Sequence, residues 1–395
     1  MKEKMTIEKM TIEKIFFGFS ILNIGIICVT LLASGGKFLS ALTYGESNFC
    51  DFWSHIGRLL FSQNIYATDA DAIFPPLAYL FLQIFARPLC YKVEQGYDLE
   101  QISQSGYGIL MLLMYMLLFV WLLTVGIHCL YIEDSFPKRT TLMGIFLFSY
   151  FTWGFAFERG NLVIYAMVFL MLGLALRDYN SKALQELALI FIAISAGFKL
   201  YPALFGFIWI AEKRYQEAMR LLLYGLAFFF VPFLFVDSFG NYLNTFLQYM
   251  NKHTYSHASI WNVIISIGGD NEYTQLLCRG IVIIIIFWAL FLLFADGVNW
   301  KTITLLMATQ TAIIPEQYVY TYVFILIPLI YFLNEAGHRK VDQIYAALFA
   351  ALFTLPPILG SRGRLMVWIW TFLLILVSVD EFLFIIKKIS RKEIL

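Results

Sequence analysis

The chain has 395 residues, 60% of them hydrophobic and only 14% charged, with a mean hydropathy of +0.74. Soluble domains carry about 25% charged residues, so this composition excludes an ordinary globular protein and indicates a multi-span membrane protein. Lys and Arg number 28 against 27 Asp and Glu, giving a net charge of +1 with no basic run, which argues against a nucleic-acid partner.

The sequence MKEKMTIEKMTIEK is followed by an apolar run from Ile15 to about Ser34. That run is too long for a signal-peptide core and no small-residue cleavage site follows it, so it reads as a retained first span. Hydropathy and breaker residues place about twelve transmembrane helices, at 15–36, 106–131, 140–157, 161–176, 183–198, 200–211, 221–236, 280–295, 302–314, 319–333, 344–360 and 365–386. The expected fold is an all-α polytopic membrane protein, with residues 1–395 forming one integral membrane domain.

An N-terminus in the cytoplasm places Lys138, Arg139, Arg177, Lys182, Lys213, Arg214, Arg220, Lys301, Arg339, Lys340 and the KKISRK tail inside as well. Most of the cations then obey the positive-inside rule, with both termini cytoplasmic. Phe74 to Cys90 is apolar enough to cross, but a crossing there would invert every later loop. It also holds Pro75, Pro76, Arg87 and Pro88, so it reads as a re-entrant or interface-lying segment on the outer face. Two external regions result, 37–105 and 237–279. The two halves show no convincing internal repeat, which weakens a carrier reading.

Certain ionisable residues stand out against this background. Asp51, in Asn48-Phe49-Cys50-Asp51-Phe52-Trp53, follows the first span among aromatics. It reads as a partly desolvated base, or more plainly as a loop acid or helix cap. Arg159 stands in Glu158-Arg159-Gly160-Asn161, a polar break between apolar stretches. It can pair with Glu158, snorkel to headgroups, or recognise a phosphate through its planar donor fork. Lys199 lies only about 12 residues from the cytoplasmic Glu212-Lys213-Arg214, so a helix reaches it after about 18 Å of a 30 Å core. An ammonium at that depth is a functional candidate, the plain alternative being a snorkelling lysine beside the kink at Pro202.

His253 and His257 are spaced i, i+4 in the second external region, as solvated loop residues or as hydrogen-bonding groups for a sugar or headgroup. No carboxylate adjoins them, and the five cysteines lack metal-ligand spacing, so no metal site or cofactor is expected. No phosphate-binding loop, nucleophile elbow or dinucleotide fingerprint occurs.

The order of these motifs resembles glycosyltransferase family 87, polytopic enzymes of the C-type (GT-C) superfamily. Asp51-Phe52 after the first span, Ser62-Gln63-Asn64-Ile65-Tyr66, Phe74-Pro75-Pro76-Leu77, Arg159-Gly160-Asn161 and Ala196-Gly197-Phe198-Lys199-Leu200-Tyr201-Pro202 carry the resemblance, with Phe74 where the family has tyrosine. Pro315-Glu316-Gln317-Tyr318 is an approximate counterpart of a polar patch before a late span.

The resemblance implies a mannosyltransferase-like enzyme of the inner (cytoplasmic) membrane that uses a polyprenyl-phosphate sugar as donor and a lipid or glycan as acceptor on the extracytoplasmic face. Asp51 would be its base. Arg159 and Lys199 would clamp the donor phosphate, and Asn161, Tyr201, His253, His257, Glu316 and Tyr318 would bind substrate. Two other classes compete: a transporter of a lipid-linked glycan or small anion, and an O-antigen polymerase or ligase. The first would need intramembrane charges in both halves, and the second arginine pairs in a large external loop.

Overall fold

The computed structural model describes residues 49–66, 73–131, 155–250, 259–313, 319–335, 339–354 and 362–390, with scattered residues between 12 and 35. No strand occurs among the described residues, and the chain is an all-α polytopic membrane protein. In chain order, α1 spans Cys50–Phe61, α2 Pro76–Ala86, α3 Cys90–Glu94, α4 Leu99–Gln104 and α5 Gly106–Leu130. Then come α6 (Phe155–Arg159), α7 (Val163–Leu176), α8 (Lys182–Phe198), a 3-10 turn at Tyr201–Gly206 and α9 (Phe207–Ala211). The rest comprises α10 (Tyr215–Phe230), α11 (Phe239–Met250), α12 (Ile260–Gly268), α13 (Glu272–Asp296), α14 (Trp300–Ile313), a 3-10 segment Val319–Ile325, α15 (Leu326–Asn334), α16 (Asp342–Thr354) and α17 (Arg362–Ser390).

Among the described residues four helical stretches are long and apolar enough to cross a bilayer unaided: Gly106–Leu130, Tyr215–Leu234, Glu272–Asp296 and Leu365–Ser390. Each carries a stripe of exposed large apolar side chains, such as Leu110, Leu113, Leu117 and Trp121 on α5, or Ile284, Phe287, Phe291 and Phe294 on α13. Stripes of that size suit lipid rather than water. The opposite face of α5 repeats every fourth residue as Met111, Tyr115, Phe119, Leu123 and Ile127, all buried. By contrast α7 is buried on nearly every side, as expected of an apolar helix at the centre of a bundle.

Regions expected as external loops contain short helices with recognisable local causes. Pro76 at the first position of α2 lacks the N–H that a helix start cannot use, and Ala78, Tyr79, Leu82 and Phe85 form its buried face. Its 11 residues reach about 16 Å, half a hydrocarbon core. Asp98 and Gln101 form a reciprocal capping box on α4. Ser105 caps α5 where Gly108 lies so close to Ile102 O that an added Cβ would stand 2.0 Å from it. The second region is likewise helical in α11 and α12, and α13 begins at Glu272, earlier than the expected 280, because Asn271 accepts from Thr274 N and caps it there.

The ends of the bundle differ in chemistry. α5 and α7 run parallel, with the Tyr115 and Tyr165 rings 4.9 Å apart and Gly126 against Met171. α7 and α8 form an antiparallel hairpin in which Ser195 donates to Ala166 O at 2.6 Å. One end gathers ion pairs: Arg177–Glu212 at 3.0 Å, Arg214–Asp178 at 3.2 Å, Lys301 to Asp380 and Glu381 at 3.0 and 3.1 Å, and Arg339–Asp380 at 2.6 Å. Asn334 at the close of α15 bonds Leu130 O at the close of α5, joining that end together. The hairpin therefore carries Asn161 and Lys199 to the other end.

Candidate active site

At that other end the Asp-Phe and Arg-Gly-Asn motifs pack on each other. Phe49, in a left-handed conformation before α1, donates its N–H to Glu158 O at 2.5 Å. Gly160 has φ +62° and lies against Phe52, so that an added Cβ would stand 2.8 Å from Phe52 Cβ. Only glycine meets both constraints without strain. Phe52 in turn is wedged against Trp53, Phe85 and Tyr115, and the Tyr115 hydroxyl donates to Gly160 O at 2.9 Å.

This packing brings Arg159 onto Asp51. Nε donates to Oδ2 at 2.9 Å and Nη2 to Oδ1 at 2.5 Å, a bidentate charge-assisted pair. Asn161 Nδ2 adds a bond to Oδ2 at 2.6 Å, while its Oδ1 accepts from Val163 N at 2.9 Å and caps α7. Cys50 Sγ is a weak fourth donor, 3.5 Å from Oδ1, and burial followed by the charge of Asp51 pushes its thiol up to about 11, so it stays protonated. Burial raises the Asp51 pKa, but the hydrogen bonds and charge of Arg159, with Asn161, outweigh it and hold the carboxyl below its ordinary value.

Lys199 ends α8 with an extended backbone, and its Nζ sits 3.9 Å from the centre of the Phe74 ring. The same ring lies 4.4 Å from that of His55, one helical turn after Asp51 on α1. His55 Nδ1 is 3.1 Å from Tyr79 OH and 3.3 Å from Arg58 Nη1, which can only donate, so in this arrangement Nδ1 accepts. Asp51, His55, Phe74 and Lys199 thus follow one another. Phe74 is held by Tyr66, which donates its OH to Phe74 O and its N–H to Asp237 Oδ2, each at 2.8 Å. Two residues beyond Lys199, Tyr201 is buried with its ring 5.6 Å from Phe324.

Asp51, Arg159 and Asn161 are therefore in direct contact, and Lys199 joins them through Phe74 and His55. His253, His257, Glu316 and Tyr318 lie outside the described residues. Sequence reasoning missed His55 and Tyr79, although the i, i+4 spacing of Asp51 and His55 could have found the first. Among the described residues no three His, Cys, Asp or Glu side chains converge as metal ligands do. At Asp51 a carboxylate meets the Asn161 amide and the Arg159 guanidinium, with the Lys199 cation beyond Phe74, a set able to take a proton beside an anion.

An all-helical membrane protein with an acid gripped by arginine at one end is the class that fold and site define. The family model of glycosyltransferase family 87 matches residues 73–315, more than half of the sequence. The chain belongs to that family, and is a membrane glycosyltransferase. The matched stretch contains Arg159, Asn161, Lys199 and Tyr201, and Asp51 precedes it while touching two of them. No curated protein and no solved structure matches the chain.

Proposed function

We propose that this glycosyltransferase moves a hexose, mannose in the first instance, from a polyprenyl-phosphate sugar to a hydroxyl of a lipid or glycan acceptor. The observation that carries the reading is the bidentate pairing of one carboxylate, Asp51, with Arg159, at the end of the bundle where Lys199 stands over Phe74. In the reaction the acceptor oxygen bonds to the anomeric carbon as the bond from that carbon to the phosphate oxygen breaks. The leaving phosphate keeps the electron pair, and the hydroxyl proton passes to Asp51. A phosphate is stable as an anion, so no general acid is needed, and direct displacement inverts the anomeric centre. Lys199 and Arg159 stabilise the charge growing on the phosphate.

Arg159 has two calls on its guanidinium, the Asp51 carboxylate and the donor phosphate. Without donor, the bidentate grip keeps Asp51 ionised and aimed but weakly basic. Donor phosphate draws part of that grip away, and the carboxylate becomes a better proton acceptor once the sugar is in place. Asn161 holds Oδ2 throughout, and Tyr201 contributes a neutral hydroxyl beside Lys199. His253, His257, Glu316 and Tyr318 complete the acceptor side. No metal is required, because the protein's own cations serve a monophosphate.

The positive-inside pattern supports about twelve crossings with both termini cytoplasmic, the ion-paired end of the bundle inside and Asp51 at the outer face of the cytoplasmic membrane. The helices at 76–104 then lie as re-entrant or interfacial elements around the site. The test is incubation of purified protein with labelled polyprenyl-phosphate mannose and native lipid extract. A glycosylated lipid and released polyprenyl phosphate are expected. Movement of the donor across vesicles with its sugar bond intact would instead identify a carrier.

A further inference from the structure

The wall formed by α14 is unusual in how it treats its polar groups. Thr302, Thr304, Thr309 and Thr311 are buried, and each hydroxyl bonds a backbone carbonyl close by in the chain, at 2.9, 2.7, 2.6 and 3.0 Å in turn. Thr311 also accepts from Trp370 Nε1 at 3.0 Å, and Ala312 O from Trp261 Nε1 at 2.8 Å. Gln310 breaks the pattern. It is 1% exposed, and neither Oε1 nor Nε2 has a hydrogen-bond partner among the described residues. A buried amide that could make several hydrogen bonds and makes none is unfavourable, and a leucine would fill similar space without that cost. Such a group calls for a missing partner.

A second orphan stands on an adjoining element. Tyr201, 5% exposed, also has a hydroxyl without a partner among the described residues. It opens the 3-10 turn that begins two residues after Lys199, and that turn packs on α14. α14 also packs on the Val319–Ile325 segment, which contacts α6 and so the Arg159 side of the site. Gln310 lies three residues from the end of α14 opposite to the ion-paired Lys301, the end of the bundle that holds Asp51. Two neutral donor–acceptor groups, both buried and both without a partner among the described residues, thus stand on packed elements, one of them two residues from the lysine assigned to the phosphate. Their chemistry suits the hydroxyls of a polyol rather than an anion.

We propose that Gln310 is a sugar-binding residue, its side-chain amide hydrogen-bonding hydroxyls of the transferred hexose, with Tyr201 on the adjoining turn a second neutral group for the same sugar. This rests on the donor reading given above and extends it by separating the site into a cationic phosphate part and a neutral sugar part.

The test compares binding of polyprenyl-phosphate mannose and of bare polyprenyl phosphate to purified protein and to Gln310→Leu. The variant is expected to fold with an undiminished melting temperature, to bind the sugar-bearing donor at least ten-fold more weakly, and to bind polyprenyl phosphate as before. Lys199→Ala is expected to weaken both ligands. Equal effects of Gln310→Leu on the two ligands, or no effect on either, would overturn the assignment. Should the leucine variant not fold, Gln310→Met, which keeps length without the amide, gives the same comparison. A parent protein that binds neither ligand would instead remove the donor reading, and with it this one.

Discussion

Arg159 reaches across 108 residues of sequence to hold both oxygens of Asp51 in a two-pronged grip. The contact is possible because Gly160, in a left-handed turn, lets the hairpin press directly on Phe52. A carboxylate so held is fixed in aim and stays charged, but it is a poor base until something competes for the guanidinium. The donor phosphate is the natural competitor.

Replacing Asp51 by Asn keeps the shape and removes the proton acceptor. Transfer is expected to fall about 10³-fold, within the usual range for loss of a general base, while donor affinity stays within a few-fold. Labelled-donor binding and product formation, measured on the same preparation, check both halves.

Changing Arg159 to Lys removes the planar fork but keeps the charge. The Asp51 pKa is depressed in the native protein, so the stability it contributes is present above the unfolded carboxylate value of about 3.9 and is lost as pH falls through the lower folded value. In Arg159→Lys the folded value moves up toward the unfolded one, and that acid-sensitive share of stability shrinks. The acidic limb of kcat/KM, which reports the free enzyme, should also move to higher pH. Unfolding midpoints and kcat/KM followed from pH 3 to 7 test the two shifts together.

At Gly160 an alanine would carry its Cβ to 2.8 Å from Phe52 Cβ and accept a left-handed backbone. A cost of about 1–3 kcal/mol follows, seen as a melting temperature several degrees lower. Because the turn sets the reach of Arg159, transfer should fall by more than the folded fraction does, which calorimetry paired with an activity assay will show.

Lys199 sits over Phe74, an aromatic that supplies no counter-charge. Its replacement by alanine is expected to weaken donor binding at least ten-fold, and arginine to restore part of the loss, because both cations can serve a phosphate. Binding isotherms of the two variants decide this.

Much of the bundle was legible from apolar run length and breaker residues. Gly106–Leu130, Val163–Leu176 and Lys182–Phe198 fall within a residue or two of the ranges read from hydropathy. Of the external regions only Phe74–Cys90 stood out, by its apolar run, whereas short polar helices such as Leu99–Gln104 did not, because a segment of six residues has no helical period to read until its cap and its packing surface are in place. In the site, Asp51, Arg159, Asn161 and Lys199 stood out as charge or polarity beside apolar sequence. Their pairing did not, since nothing local to Arg159 says that it faces an acid more than 100 residues earlier. Nor could the sequence single out Gln310 among the polar residues of α14, because its threonines satisfy themselves within their own chain neighbourhood and its amide does not.

The central claim is that Asp51 is the base and that donor phosphate loosens its arginine grip. The most direct measurement is the pKa of the Asp51 carboxyl by isotope-edited infrared difference spectroscopy, against Asp51→Asn as blank, without and with bound polyprenyl phosphate. A value below the ordinary carboxylate range is expected in the free protein, with a rise when the phosphate binds. An unchanged value, together with full transfer activity in Asp51→Asn, would contradict it.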